Sequence, residues 1–333
     1  MYKLYFLFVF FGLFSCFNTH QKLDIKKQIT DIDYSELKKF QNNIDYIYRL
    51  KFLVNDNEAI SYGVTKDTQL YKFDSESGIT YLLSLKNKLD NNQEISINNN
   101  DLYYLNNNSI YIYNLNSKKD TVFIQNAYSD TLFPINQMYN QNAIVSYDNS
   151  ILFQLGDLRN NFNFTGDFIF AKFHEGKKEE IVPYPAEFKT QYQQYNDVIF
   201  TVHDATIFYA FPTIGKVFSY NIKSNSIKNT LIKEGNYIWF DTTKYTDVLY
   251  ISDYTDKTAY NINIYFVKDY ITILQSQAGD NFYLLIFDTE LNYITKYKIE
   301  HTVFRYYVYS DEEKLYFGVP SSNQLITYNF NEN

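Results

Sequence analysis

Four histidines, His20, His174, His203 and His301, lie too far apart for an H-x3-H or HExxH zinc site. The chain's one cysteine rules out a disulfide framework or a thiolate cluster. A calcium loop of the D-x-[DN]-x-[DN]-G kind, a P-loop and a G-x-S-x-G elbow are all missing from the text. Asp253 and Asp256 bring two oxygens to one turn, short of the six to eight ligands that calcium takes. No metal and no cofactor are therefore expected. Carboxylates are the remaining reactive groups, because hydrolysis of a glycoside needs two of them, roughly 5–10 Å apart, and distant segments can supply them. Asp148, Asp167, Asp204 and Asp253 each stand at the end of an apolar run or in a turn. His203-Asp204 is the most suggestive pair, and Arg159, one of three arginines, is placed to hold an anion. The aromatic faces of Tyr237, Trp239 and Phe240 suit a sugar ring. Each has a plainer reading: turn carboxylates pair at the surface, and clustered aromatics fill cores. The candidate binding residues are Arg159, His203, Asp204, Trp239 and Asp253.

Cys16 is a different case. Lys3 precedes eleven apolar residues, Leu4 to Phe14, which end at the small residue Ser15. This is the charged, apolar and small-residue order of a secretory signal. As a helix the run covers about 16 Å against a hydrocarbon core of ~30 Å, so a stable transmembrane anchor is disfavoured. Leu13-Phe14-Ser15-Cys16 resembles the bacterial lipobox, with Phe14 where that motif favours a small or β-branched residue. The resemblance implies cleavage before Cys16 and acylation of its thiol, and two or three chains anchor durably where one binds marginally.

The elements that carry these residues are strands. A fifth of the 333 residues are aromatic, with 35 Tyr and 29 Phe against 10 Gly and 5 Pro. Such text favours strand over helix and lacks the glycines of a nucleotide-binding α/β fold. Hydrophobic residues make up 45% of the chain, enough for a core. A net charge of −8 argues against nucleic acid as a partner. Asn runs such as Asn98-Asn99-Asn100 and Asn106-Asn107-Asn108 separate the apolar segments, where left-handed turn geometry favours Asn.

The chain also repeats itself. Ile207–Ile222 aligns without a gap on Leu315–Phe330, with Pro212 on Pro320 and Tyr220-Asn221 on Tyr328-Asn329. Looser copies lie at Ile60–Asp74 and Leu102–Leu115, each a strand, a turn, and a second strand ending in an aromatic residue and Asp or Asn. Phe168–His174 and Phe282–Asp288 read as the second strand alone. The six second strands begin near 69, 109, 168, 216, 282 and 324, which is 255 residues over five steps, about 51 each. A four-stranded antiparallel blade has that size, and the apolar–polar alternation has the period of half-buried strands. These endings resemble the TolB-like β-propellers. Joined to a lipobox, they resemble the functionally uncharacterised propeller lipoproteins of Bacteroidetes, which implies a fold and a compartment.

The expected architecture is an all-β, six-bladed β-propeller, with seven blades as the alternative. Residues 1–15 form the signal peptide. Residues 16–43 form the lipid anchor, the tether and a closing strand, and 44–333 the propeller. The last copy ends three residues before Asn333, so its blade lacks a fourth strand. Lys22–Thr30 is expected to supply it, antiparallel to Gln324–Phe330, because an open edge invites association. Leu50–Val54 suits an inner strand of the first blade. The expected function is a binding or scaffolding module of the cell envelope, with the membrane and an unknown protein or glycan as partners. The alternative is a glycan-active enzyme whose acids come from separate blades. No acidic run follows Cys16, so an outer-membrane lipoprotein facing the periplasm is expected, with the cell surface as the alternative.

Overall fold

A computed structural model describes residues 23–32, 47–55, 58–65, 69–74, 78–84, 95–98, 101–106, 109–124, 144–147, 150–154, 167–174, 177–185, 198–238, 253–254, 256–277, 281–300, 307–310, 313–319 and 323–332. They are nearly all strand, apart from turns, loop segments and a helical turn at residues 253–254 and 256–257. Cys16, Asp148, Arg159, Trp239 and Phe240 lie outside them, as do Met1–Ser15.

The first described strand is Leu23–Asp31 (β1). Four-stranded antiparallel sheets then follow in sequence. Sheet I is Ile47–Asn55 (β2), Glu58–Thr65 (β3), Gln69–Asp74 (β4) and Gly78–Ser84 (β5); sheet II is Ile95–Asn98 (β6), Asp101–Asn106 (β7), Ser109–Asn114 (β8) and Lys119–Ile124 (β9). Sheet III is Ile144–Tyr147 (β10), Ser150–Gln154 (β11), Phe168–His174 (β12) and Lys177–Pro183 (β13); sheet IV is Ile199–His203 (β14), Thr206–Ala210 (β15), Lys216–Asn221 (β16) and Ser226–Leu231 (β17). Sheet V is Tyr260–Val267 (β18), Tyr270–Gln277 (β19), Asn281–Asp288 (β20) and Tyr293–Ile299 (β21). Sheet VI is Tyr307–Ser310 (β22), Lys314–Val319 (β23) and Gln324–Glu332 (β24), with β1 as its fourth strand.

The six repeat segments are β4, β8, β12, β16, β20 and β24, the third strand in each sheet of the described residues. Leu50–Val54 falls in β2, the first strand of sheet I. The first strands touch in a cycle: β2 packs on β6, β6 on β10, β10 on β14, β14 on β18, β18 on β22, and β22 back on β2. This is the propeller-like arrangement that the repeat implies, with first strands innermost.

The core lies between consecutive sheets. Phe170, Phe200, Tyr209, Phe211 and Phe218 interlock between sheets III and IV, with Phe170 and Phe200 edge-to-face at 4.7 Å. Ile264, Ile273, Leu285 and Phe287 join Phe208 and Val217 between IV and V, and Leu284, Ile286, Phe317 and Tyr328 lie between V and VI. Each such side chain contributes about 1.5–3 kcal/mol when fully buried. Because a sheet is covered on both faces, strict alternation fails in its inner strands. β18 and β19 each carry five consecutive buried residues, whereas the outer strands β17 and β21 are largely exposed or half-buried. The half-buried pattern read from the sequence thus gives way to double burial near the axis.

β1 pairs antiparallel with β24 over its whole length, from Leu23 opposite Glu332 to Asp31 opposite Gln324, at the outer edge of sheet VI. Leu23 and Ile25 pack on the core between V and VI, and Ile29 is exposed. The first described strand therefore covers the outer edge of β24, at the position expected of Lys22–Thr30, of which Lys22 lies outside the described residues.

Candidate functional site

Antiparallel order gives the molecule two faces. The turns from first to second strand and from third to fourth emerge on one, here called the hairpin face. The turns from second to third strand and the links between sheets emerge on the other, the connection face. Hydrogen bonds hold each together. On the hairpin face Ile222 N donates to Ala205 O at 2.7 Å, and Asn114 Nδ2 to Asp101 Oδ1 at 2.7 Å. On the connection face Ile232 N donates to Gly215 O at 2.9 Å, and Asn261 N to Pro212 O at 2.7 Å.

His203 and Asp204 sit on the hairpin face, in the β14–β15 turn. The His203 ring stacks on Phe266 of the next sheet, with centroids 3.6 Å apart and planes 11° apart. Its Nε2 lies 3.5 Å from Asp204 Oδ2, and the Asp204 side chain is 87% exposed. Asp204 has φ 48°, so its backbone makes the tight turn. The pair is an aromatic lock between sheets IV and V with an exposed carboxylate beside it.

The aromatic-Asp/Asn endings also act on this face. Asn221 Oδ1 accepts from Lys223 N at 3.1 Å and from Ser224 N at 2.9 Å. Asn114 Oδ1 accepts from Ser117 N at 2.8 Å, and Asp288 Oδ1 from Glu290 N at 2.9 Å and Asn292 N at 2.8 Å. The side chain caps the turn to the fourth strand while its aromatic neighbour, Tyr220, Tyr113 or Phe287, is buried. In these three copies the repeat thus keeps a packing residue and a turn cap together. Among the described non-glycine residues with positive φ, two are Asn, Asn225 and Asn323. Turn asparagine thus serves in both ways, as an amide cap at Asn114 and Asn221 and in left-handed geometry at Asn225 and Asn323, while Asn99, Asn100, Asn107 and Asn108 lie outside the described residues.

The most constructed feature lies on the connection face between sheets IV and V. Gln277 Nε2 donates to Gln275 Oε1 at 2.6 Å, Gln275 Nε2 to Tyr237 Oη at 2.6 Å, and Tyr237 Oη to Asn261 Oδ1 at 2.6 Å. Asn261 Nδ2 then donates to the carbonyls of Phe211, 2.9 Å, and Ile214, 3.1 Å, in the β15–β16 turn. Asn261 and Gln275 are fully buried, and they face each other across β18 and β19. Burial pushes the Tyr237 hydroxyl above its ordinary value, against the lowering effect of its bonds to Gln275 and Asn261. Buried polar groups in such a directional chain strengthen one another and would be costly if unpaired.

Residues 232–238, which follow β17, lie across this chain. Gly215 leaves room for the Tyr237 ring, since a Cβ there would come 2.7 Å from Tyr237 Cδ2. Gly235 has φ +87°, and its Cβ would sit 2.6 Å from that of Ala259. Beside them, Glu234 accepts from Lys296 Nζ at 2.6 Å and from Tyr293 Oη at 3.4 Å. Partial burial first, then the charge and hydrogen bond of Glu234, push Tyr293 up to about 12.

Asp253 is on this face too, in the helical turn, where it forms an exposed ion pair with Lys257. Asp167 is exposed just before β12, and its carbonyl accepts from Tyr184 N at 3.1 Å. The topology therefore brings Asp167 and Asp253 to one face and His203 and Asp204 to the other. No group of three His, Cys, Asp or Glu that could hold a metal occurs among the described residues. Sequence reading singled out Tyr237 for its aromatic face and passed over Asn261 and Gln275. Their signal was present: single amides inside the apolar runs YNINIYFV and YITILQSQ.

No protein-family model matches the chain, and no curated protein does. A solved protein described as exported, from Bacteroides fragilis NCTC 9343, is 9% identical over 93% of this chain and 95% of its own, with a TM-score of 0.54. That likeness is one of fold. A catalytically inactive virginiamycin B lyase from Staphylococcus aureus is 13% identical over 92% of this chain and 99% of its own, with a TM-score of 0.47. The extracellular domain of a one-component system from B. thetaiotaomicron is 15% identical over 84% of this chain, with a TM-score of 0.45. This chain spans about a third of that protein's length, 32%.

Proposed function

We propose that the protein is a six-bladed β-propeller lipoprotein of the bacterial cell envelope, acylated at Cys16, that binds a protein or glycan partner through its connection face. The observation that carries the binding role is the hydrogen-bonded chain from half-buried Gln277 to buried Asn261, which fixes residues 232–238 across two sheets. A rigid surface loses little conformational freedom when a partner docks, so such fixing favours recognition. Six sheets and the cycle of first strands support the blade number. The lipobox-like Leu13-Phe14-Ser15-Cys16 supports the anchor, and the fold shared with an exported Bacteroides protein fits an envelope location. The TolB-like resemblance belongs to the same reading, as do the outer membrane and its periplasmic side.

The test has two arms. Labelling with a fatty-acid analogue should mark the wild type and spare Cys16→Ser; equal labelling of both removes the anchor. A photo-crosslinker at Asn236, on the connection face, should capture one defined partner in native membranes, with little capture from Lys118 on the hairpin face. Capture from Lys118 alone would reject the connection face as the binding surface.

A further inference from the structure

The orientation of the propeller on its membrane follows from the direction of β1. Resting on the lipid anchor proposed at Cys16, we infer that the hairpin face lies against the lipid headgroups and that the connection face points away from the bilayer. Leu23 pairs with Glu332, where β24 reaches the hairpin face, just as β16 and β20 reach it at Asn221 and Asp288. Asp31 pairs with Gln324, and Ile32 N donates to Asn323 O at 2.8 Å on the connection face. The anchored chain therefore enters the fold on the hairpin face and climbs towards the connection face.

Lengths decide between the orientations. Cys16 is seven residues before Leu23, a span of at most about 25 Å even if fully extended. β1 has nine residues and covers ~30 Å. A tether shorter than the strand cannot run back past the sheet and lay the connection face on the membrane while the acyl chains stay embedded. Charge alone does not choose the face. Exposed Lys118, Lys119, Lys177 and Lys178 on the hairpin side are interleaved with Asp120, Asp204 and Glu290. The tether sets the orientation, and the surface held by Tyr237, Asn261 and Gln275 is left open to a partner from the aqueous side.

Quenching by lipids tests this with the full acylated chain. Once Cys16 is acylated, Lys223→Cys and Lys233→Cys each supply the free thiol for a fluorophore, on the hairpin and connection faces respectively. In phosphatidylethanolamine–phosphatidylglycerol vesicles carrying a nitroxide on the headgroup, the label at 223 should be quenched at least twofold more than that at 233. Inserting a twenty-residue Gly-Ser linker between Asn18 and Thr19 should bring the two towards equality. Vesicle binding with equal quenching, as from a ring lying on its edge, or with stronger quenching at 233, overturns the orientation and leaves the anchor intact. Failure of the wild-type chain to bind vesicles overturns the anchor and this inference with it.

Discussion

Tyr237 makes one hydroxyl serve two buried amides. It accepts from Gln275 and donates to Asn261, so Tyr237→Phe takes one short hydrogen bond from each of two fully buried amides and leaves Gln275 Nε2 its longer bonds to Glu234 O and Asn261 Oδ1. The expected loss is about 1–3 kcal/mol, read as a lower denaturant midpoint with an unchanged slope. Gly215→Ala tests the same contact from the other side, because its new Cβ would meet the Tyr237 ring. A normal midpoint for both variants would show that the connection is held by other means. Tyr293 makes a prediction about pH. Its folded value is about 12 against an ordinary 10.0, so the folded state holds the proton more tightly than the unfolded chain. Its contribution is complete below about pH 10 and is lost as the pH rises towards 12. Tyr293→Phe has no proton to lose there, so its unfolding midpoint should fall less than the wild type's over that range. Coincident alkaline profiles would assign the loss to other tyrosines that burial raises, such as Tyr104 and Tyr209.

At the scale of the element, the third strand and its turn form the repeating unit. Asn221 and Asp288 do the same work with different chemistry, each accepting backbone N–H groups two to four residues on. Asn221→Asp should therefore be tolerated, whereas Asn221→Ala should cost about 1–2 kcal/mol by chemical denaturation. Equal costs would mean that the amide's own N–H groups matter at this position. His174 stands where the other copies carry Asp or Asn, and its Nδ1 lies 3.1 Å from Ser150 Oγ. That link ties two neighbouring strands of sheet III, so the end of the repeat is specified by a polar group of suitable reach, more than by one residue type.

At the scale of the whole molecule, closure depends on joining the two ends of the described chain. The nine pairs between β1 and β24 cover the outer edge of sheet VI, and Lys27 adds an ion pair to Glu300, the residue that follows β21 of sheet V. Deleting residues 17–32 should expose that edge and part of the core around Leu23 and Ile25, lowering the thermal midpoint by roughly 5–10 °C. A synthetic peptide covering residues 23–32 should restore it, since the groove and the register remain. An unchanged midpoint after the deletion would reduce β1 to an adornment of a ring closed without it. Under the orientation proposed above, the same strand would also set how the ring sits on its membrane, so one segment would serve both closure and anchoring.

Much of this was legible in the sequence because it is local or periodic. The third strands, the order in which sheets follow one another and the need for a strand to complete the last sheet could all be read from repeat spacing and from where the last copy stops. Those features reflect strand period and turn chemistry, which act over a few residues. The candidate site was less legible. His203-Asp204 looked like a reactive pair, yet the His203 ring is stacked on Phe266, 63 residues away, and no local pattern announces that contact. The division of the described candidate carboxylates, Asp167 and Asp253 against Asp204, between opposite faces likewise follows from strand direction. Asn261 and Gln275 read as minor interruptions of apolar runs until β18 and β19 set them opposite each other and the residue 232–238 segment brought Tyr237 between them. Only the tertiary structure decides such pairings, because a buried amide is stabilised by partners whose separation along the chain carries no information about their separation in space.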